Sequence, residues 1–334
     1  MSAAVDARVP ERPAIAATLR HWAQRNSWTL ALFGLFAGIL ALTLLIQPSY
    51  GAAQLQGLAV GAMPLAFAAV AQAIVVISGG IDLSIGSMMA LTSVTAAVAM
   101  KDQSETLSIA VVLGVLVLGI VLGIINGTLV VITRVPDIVV TLAMSFVWAG
   151  AALVVLPSPG GGSAGWLTGM VKGPLGLDIL PRALVVLLVI VGLIWIPLRR
   201  SNAGLALYAI GSNRLAAFRS GVPVGRTKVF AYMLGGLFSA FGGLALTATT
   251  GIGTPVPGAY TLLGVAAIVL GGVSLAGGRG GLAGPIVAVF VLALVRTDLT
   301  LLGVNSNLST VVQGTILIGV VMFGSLLTMR QARS

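Results

Sequence analysis

The sequence predicts an all-α membrane protein, a polytopic transmembrane helix bundle of about ten spans with both termini cytoplasmic. Three observations predict it. Of 334 residues, 58% are hydrophobic and 8% charged, and the mean hydropathy is +1.10; a soluble domain carries roughly 25% charged residues, which this chain cannot supply. The apolar runs are mostly continuous over more than about 18 residues, enough for a helix to cross the hydrocarbon, and they lack the alternation of barrel strands. The 44 glycines suit helices that approach one another closely in lipid.

In chain order, residues 1–27 hold Arg8, Arg12, Arg20 and Arg25 without an apolar core or cleavage pattern, and read as a cytoplasmic N-terminal tail. Residues 28–329 read as one membrane domain, with spans at 28–47, 54–78, 84–100, 107–133, 138–156, 182–198, 227–249, 260–276, 282–299 and 309–328. The spans were placed by hydropathy, so charge checks them independently. With the N-terminus inside, the cytoplasmic side receives those four arginines, Arg134, Arg199, Arg200, Arg214, Arg219, Arg226, Lys228, Arg279, Arg330 and Arg333. The outside receives only Lys101, Lys172, Arg182 and Arg296, so the 18 basic residues divide 14 against 4. That asymmetry places both termini in the cytoplasm.

Two connections are long. Residues 157–181, rich in Gly and Pro, fall outside; residues 199–226, basic with an Ala/Leu centre suited to one or two short helices, fall inside. Gly79–Gly86 also echoes Gly271–Gly278, each lying where an apolar run breaks. Duplicated halves produce such an echo, and so does chance similarity between glycine-rich segments.

Three stretches carry candidate functional residues. In SGGIDLSIGSMMALTS (78–93), Asp82 is a carboxylate flanked by apolar sequence, which must face protein, water or backbone N–H groups. Asp82 and Ser84 either cap the next helix or border a polar path; a break at membrane depth survives only where protein or a cavity covers it, so both readings are compatible. Asn126 either bonds across helices or contacts a substrate, and Pro136 and Asp137 open the span that holds Thr141, with Asp137 favoured by the helix dipole. In the inside loop, Gly211, Asn213, Arg214, Ala216, Ala217, Arg219, Ser220 and Gly221 outline a short helix bounded by turns, with a small-residue face for a partner.

Several chemistries lack their residues. There are no cysteines and one histidine, His21. The GxxxxGK[ST] and HExxH patterns do not occur, so phosphate-loop ATP hydrolysis and a zinc-dependent membrane enzyme find no machinery. A coupled secondary carrier or channel has only Asp82 and Asp298 as intramembrane ionisable candidates. The net charge of +10 is dispersed between apolar runs, which fits topology rather than a nucleic-acid partner.

Taken in order, GGIDLSIGSMMAL (79–91), ING (125–127), VPDIVVTLAM (135–144), AIGSNRLAAFRSGVPV (209–224) and LGGVSLAGGRGGLAGPIVA (270–288) resemble the permease subunits of bacterial ABC importers of the ribose, xylose and arabinose type. The resemblance implies a monosaccharide cargo, a second permease subunit, a periplasmic sugar-binding protein and a cytoplasmic ABC ATPase. ATP and Mg would then sit on that ATPase, this chain binding no cofactor or metal. Residues 209–224 would contact the ATPase, and Asp82, Ser84, Asn126 and Thr141 are the candidates for the translocation path or gate. The loop loosely echoes the EAA-then-Gly segment of other importers, with Leu215 at the glutamate position, so no salt bridge is expected from there.

Overall fold

The computed structural model describes residues 27–256, 258–305, 307–309, 311–312, 314–315 and 319. The expected tail and most of the tenth expected span lie outside these. The chain runs α1 (Ser27–Ile46), α2 (Ala52–Ile77), α3 (Ile85–Met100), α4 (Glu105–Thr133), α5 (Asp137–Val155), α6 (Gly165–Val171), β1 (Pro174–Leu175), β2 (Leu177–Pro181), α7 (Arg182–Arg200), α8 (Asn202–Ser212), α9 (Arg214–Arg219), α10 (Val224–Thr250), α11 (Tyr260–Leu270) and α12 (Ala283–Leu301).

Seven of the described helices, α1, α2, α4, α5, α7, α10 and α12, are long and apolar enough to cross a membrane. This corrects two of the expected spans. At 1.5 Å per residue, the 16 residues of α3 and the 11 of α11 rise only about 24 and ~16 Å, short of a hydrocarbon core of about 30 Å. The expected span 260–276 stops at Leu270, where Gly271 and Gly272 end the helix. The 157–181 connection also departs from all-α: β1 and β2 pair as a short antiparallel hairpin.

α2 and α10 are buried along most of their length, whereas α1, α5 and α7 bury less than a quarter of theirs. Outward-facing Phe146, Val154 and Leu193 suit hydrocarbon or another apolar subunit. At the centre Phe67 stacks on Phe238 and Phe241 with ring centroids 6.5 and 5.6 Å apart. α4 reaches α10 through Gly119, Gly123 and Gly127, four residues apart; a Cβ on Gly123 would run into the Tyr232 carbonyl, so only glycine permits this backbone approach.

The echo between the halves is structural. After α2, the N–H groups of Ser78, Gly79 and Gly80 donate to the carbonyls of Ile74, Val76 and Val75; after α11, those of Gly271, Gly272 and Val273 donate to Ala267, Val269 and Ile268. Both ends are the same left-handed cap, with Gly79 at φ 76° and Gly272 at φ 78°. Gly79 therefore matches Gly272, one residue later than the sequence alignment had it.

Candidate functional site

The break between α2 and α3 is closed by side chains from four other elements. Asp82 and Ser84 are fully buried. The Asp82 Oδ1 accepts from the Ser84 amide at 2.8 Å and from the Ser84 hydroxyl at 2.6 Å. Asn126 Nδ2 donates to Ser84 Oγ at 2.7 Å, and Trp148 Nε1 donates to Asn126 Oδ1 at 3.2 Å. A polar chain thus runs from Trp148 on α5, through Asn126 on α4, to the carboxylate in the break. Asp82 Oδ2 has no hydrogen-bond partner. Thr141 ties α5 to the same segment, accepting from the Leu83 amide at 3.1 Å while its hydroxyl also lies 3.2 Å from the Ile81 carbonyl. All four sequence-derived path residues meet here.

The expected cap of α3 needs correction. Ser84 occupies the N-cap position but makes no side-chain cap bond, its oxygen accepting instead from Asn126 while its hydroxyl donates to Asp82. The Gly86 amide is instead capped by Thr261 Oγ1 at 2.9 Å, from a residue 175 positions away at the start of α11. The N-terminal ends of the two shortened helices therefore meet, one helix closing the other's first turn.

Beside this break lies an ion pair that the sequence reading did not assemble. Lys228 Nζ sits 2.7 Å from Asp137 Oδ2 and 2.9 Å from Oδ1, with the Tyr232 hydroxyl donating to Oδ2 at 2.9 Å. The signal was present: Lys228 and Tyr232 stand four apart, on one face of an apolar helix, and Asp137 is a lone acid after a proline.

The 199–226 connection folds into α8 and α9 at an elbow. Asn213 Oδ1 accepts from the Ala216 amide at 2.9 Å and caps α9, which ends on Ser220 and Gly221 (φ 83°). The small-residue face is only partly presented: Ala217 turns inward among Ile210 and Val224, while Ala216, Leu215, Phe218 and Arg219 are exposed. Gly211 wedges between the two glycine turns. A Cβ there would strike the Ile77 carbonyl oxygen and the Gly278 amide, and one on Gly277 would come 2.9 Å from the Gly79 Cα.

Seven apolar helices, two half-length helices meeting at a polar break and a helical elbow seated on that break define a multi-pass membrane helix bundle. The comparisons agree. Residues 54–321 match the family described as branched-chain amino acid transport system / permease component, and the chain belongs to that family. It is 34% identical over 249 residues to the ribose import permease protein RbsC of Bacillus subtilis, covering 73% of this chain and 76% of that one. It is 34% identical over 248 residues to a probable ABC transporter permease protein, y4mJ, of Sinorhizobium fredii (73% and 72% covered). It is 32% identical over 266 residues to the autoinducer 2 import system permease protein LsrD of Escherichia coli (77% and 79% covered). No solved structure matches it. The chain is thus a multi-pass inner-membrane transport permease.

Proposed function

We propose that this chain is the membrane subunit of an ATP-driven importer of a monosaccharide, of pentose or hexose type. A periplasmic sugar-binding protein delivers the sugar, a second permease subunit completes the passage, and a cytoplasmic ABC ATPase holding ATP and Mg drives it. The observation that carries this reading is the seat of Gly211 between the two glycine turns. A push on the α8–α9 elbow reaches Ile77, Gly79 and Gly278 through backbone contact, one step from Asp82 and its polar chain.

Gly211, Asn213, Arg214, Ala216, Ala217, Arg219, Ser220 and Gly221 form the coupling segment; Asp82, Ser84, Asn126 and Thr141 hold the gate. A tight sugar site needs several convergent polar groups with aromatic faces. Apart from Asp82 Oδ2, the polar groups around the break are consumed by one another, so passage is weakly binding and selectivity belongs to the binding protein. A signalling sugar or related small polyol is the second reading of the cargo, and the likeness to an autoinducer 2 import permease favours the first of these.

The test is reconstitution of the permease with its ATPase and binding protein in proteoliposomes. Sugar uptake should require all components, and Arg214→Glu and Arg219→Glu should each uncouple ATP hydrolysis from uptake. Uptake by the permease alone would reassign it as a carrier, and unchanged uptake in both variants would remove the elbow as the docking site.

A further inference from the structure

Two adjoining cavities lie under the α8–α9 elbow. One, of about 680 Å³, is a trough walled by Val131, Leu215, Phe218, Pro223 and Val224, with two arginines, Arg214 and Arg226, also lining it. The other, of about 260 Å³, is bounded by Arg134, Arg214, Lys228 and Asp137. Val131 and Arg214 line both, so the two form one continuous recess, apolar over most of its wall, with Arg214 and Arg226 on the trough and Arg134 on the smaller cavity.

The charges there do not cancel. Asp137 is matched by Lys228, the sole ion pair among the described residues, which leaves the guanidinium groups of Arg134 and Arg214 without a carboxylate there. Arg134 is set beyond the end of α4 by a left-handed backbone at φ 58° and is exposed, as is Arg214. The floor is closed by the contact of α4 with α10, where a Cβ on Gly225 would come 3.2 Å from Val131 Cγ1.

An uncompensated pair of guanidinium groups binds a phosphate in fork geometry, and an apolar trough beside it takes a hydrocarbon chain. One ligand chemistry has both parts. We infer that this recess binds an anionic phospholipid of the cytoplasmic leaflet, its phosphate between Arg134 and Arg214 and an acyl chain along Val131, Phe218 and Val224. Basic recesses between helices at that membrane surface attract such headgroups. A free anion would leave the trough empty.

The test is native mass spectrometry of the purified full chain, without its ATPase, given equal amounts of phosphatidylglycerol and phosphatidylcholine. This separates it from the docking test, since no partner is present and Arg134 lies outside the coupling segment. Phosphatidylglycerol should be retained about tenfold more than phosphatidylcholine. The exposed-site variants Arg134→Ala and Arg214→Ala should each reduce that preference and together abolish it. Arg200→Ala, an exposed arginine at the end of α7, should not. Equal retention of the two lipids, a preference that survives the double variant, or an equal loss in Arg200→Ala would overturn the site. Inorganic phosphate is the third probe: thermal protection by it matching that of phosphatidylglycerol would assign the arginines to a free anion and overturn the lipid.

Discussion

Gly211 touches Gly79 across the break: a Cβ built on Gly79 would lie 3.3 Å from the Gly211 Cα. Two segments 132 positions apart in sequence thus meet backbone to backbone. One is the end of the elbow, the other the cap of a buried helix. Such contact transmits displacement because it has no side chain to yield.

Gly211→Ala tests this contact. The new methyl must displace the Ile77 carbonyl or the Gly278 amide, an overpacking strain of about 1–3 kcal/mol. Uptake should fall about tenfold or more while ATP hydrolysis persists, both measured in proteoliposomes. A wild-type ratio of sugar moved to ATP hydrolysed would show that the elbow does not act through Gly211.

The Lys228–Asp137 pair is largely shielded, with side-chain exposures of 8% and 17%. Removing one partner leaves the other charge poorly solvated, so Lys228→Met or Asp137→Leu alone should destabilise by about 3 kcal/mol. The double variant should recover most of that, because no lone charge remains. Thermal unfolding in detergent reads all three, and additive losses in the double variant would mean the two residues act independently.

The sequence carried the membrane class and the order of helices because continuous apolar runs and charge asymmetry are local signals. Asp82, Ser84, Asn126 and Thr141 were legible as sparse polar groups in apolar surroundings, each needing a partner. The partners were less legible. Lys228 was counted as one more inside charge, and Asp137 as a residue satisfied by the helix dipole, because pairing across 91 positions leaves no local trace. The end of α11 was misplaced because Val273 and Leu275 continue its hydropathy, although Gly271 and Gly272 stop its hydrogen bonds.

Asp82→Ala should separate the two roles read for the break. It strips the acceptor from both the amide and hydroxyl of Ser84, and an unsatisfied buried donor costs about 1–3 kcal/mol. Asp82→Asn keeps the Oδ1 acceptor and should restore most of the stability. Retained uptake in the Asn variant would assign Asp82 to holding the break in shape. Lost uptake with restored stability would assign a role to the acid group itself and its unpaired Oδ2.

Thr261 offers the most local test that the two half-length helices close one another. Its Oγ1 accepts the Gly86 amide at 2.9 Å and lies 3.4 Å from the Leu83 carbonyl. Thr261→Val keeps the shape and removes the acceptor, leaving an orphan N–H in the first turn of α3 at a cost of about 1 kcal/mol. Thr261→Ser keeps the oxygen and should behave as the parent. Hydrogen–deuterium exchange over residues 85–88 reads the cap directly: it should quicken severalfold in the valine variant and remain slow in the serine variant. Equal protection in both would mean that α3 caps itself, and that α11 meets it without holding it.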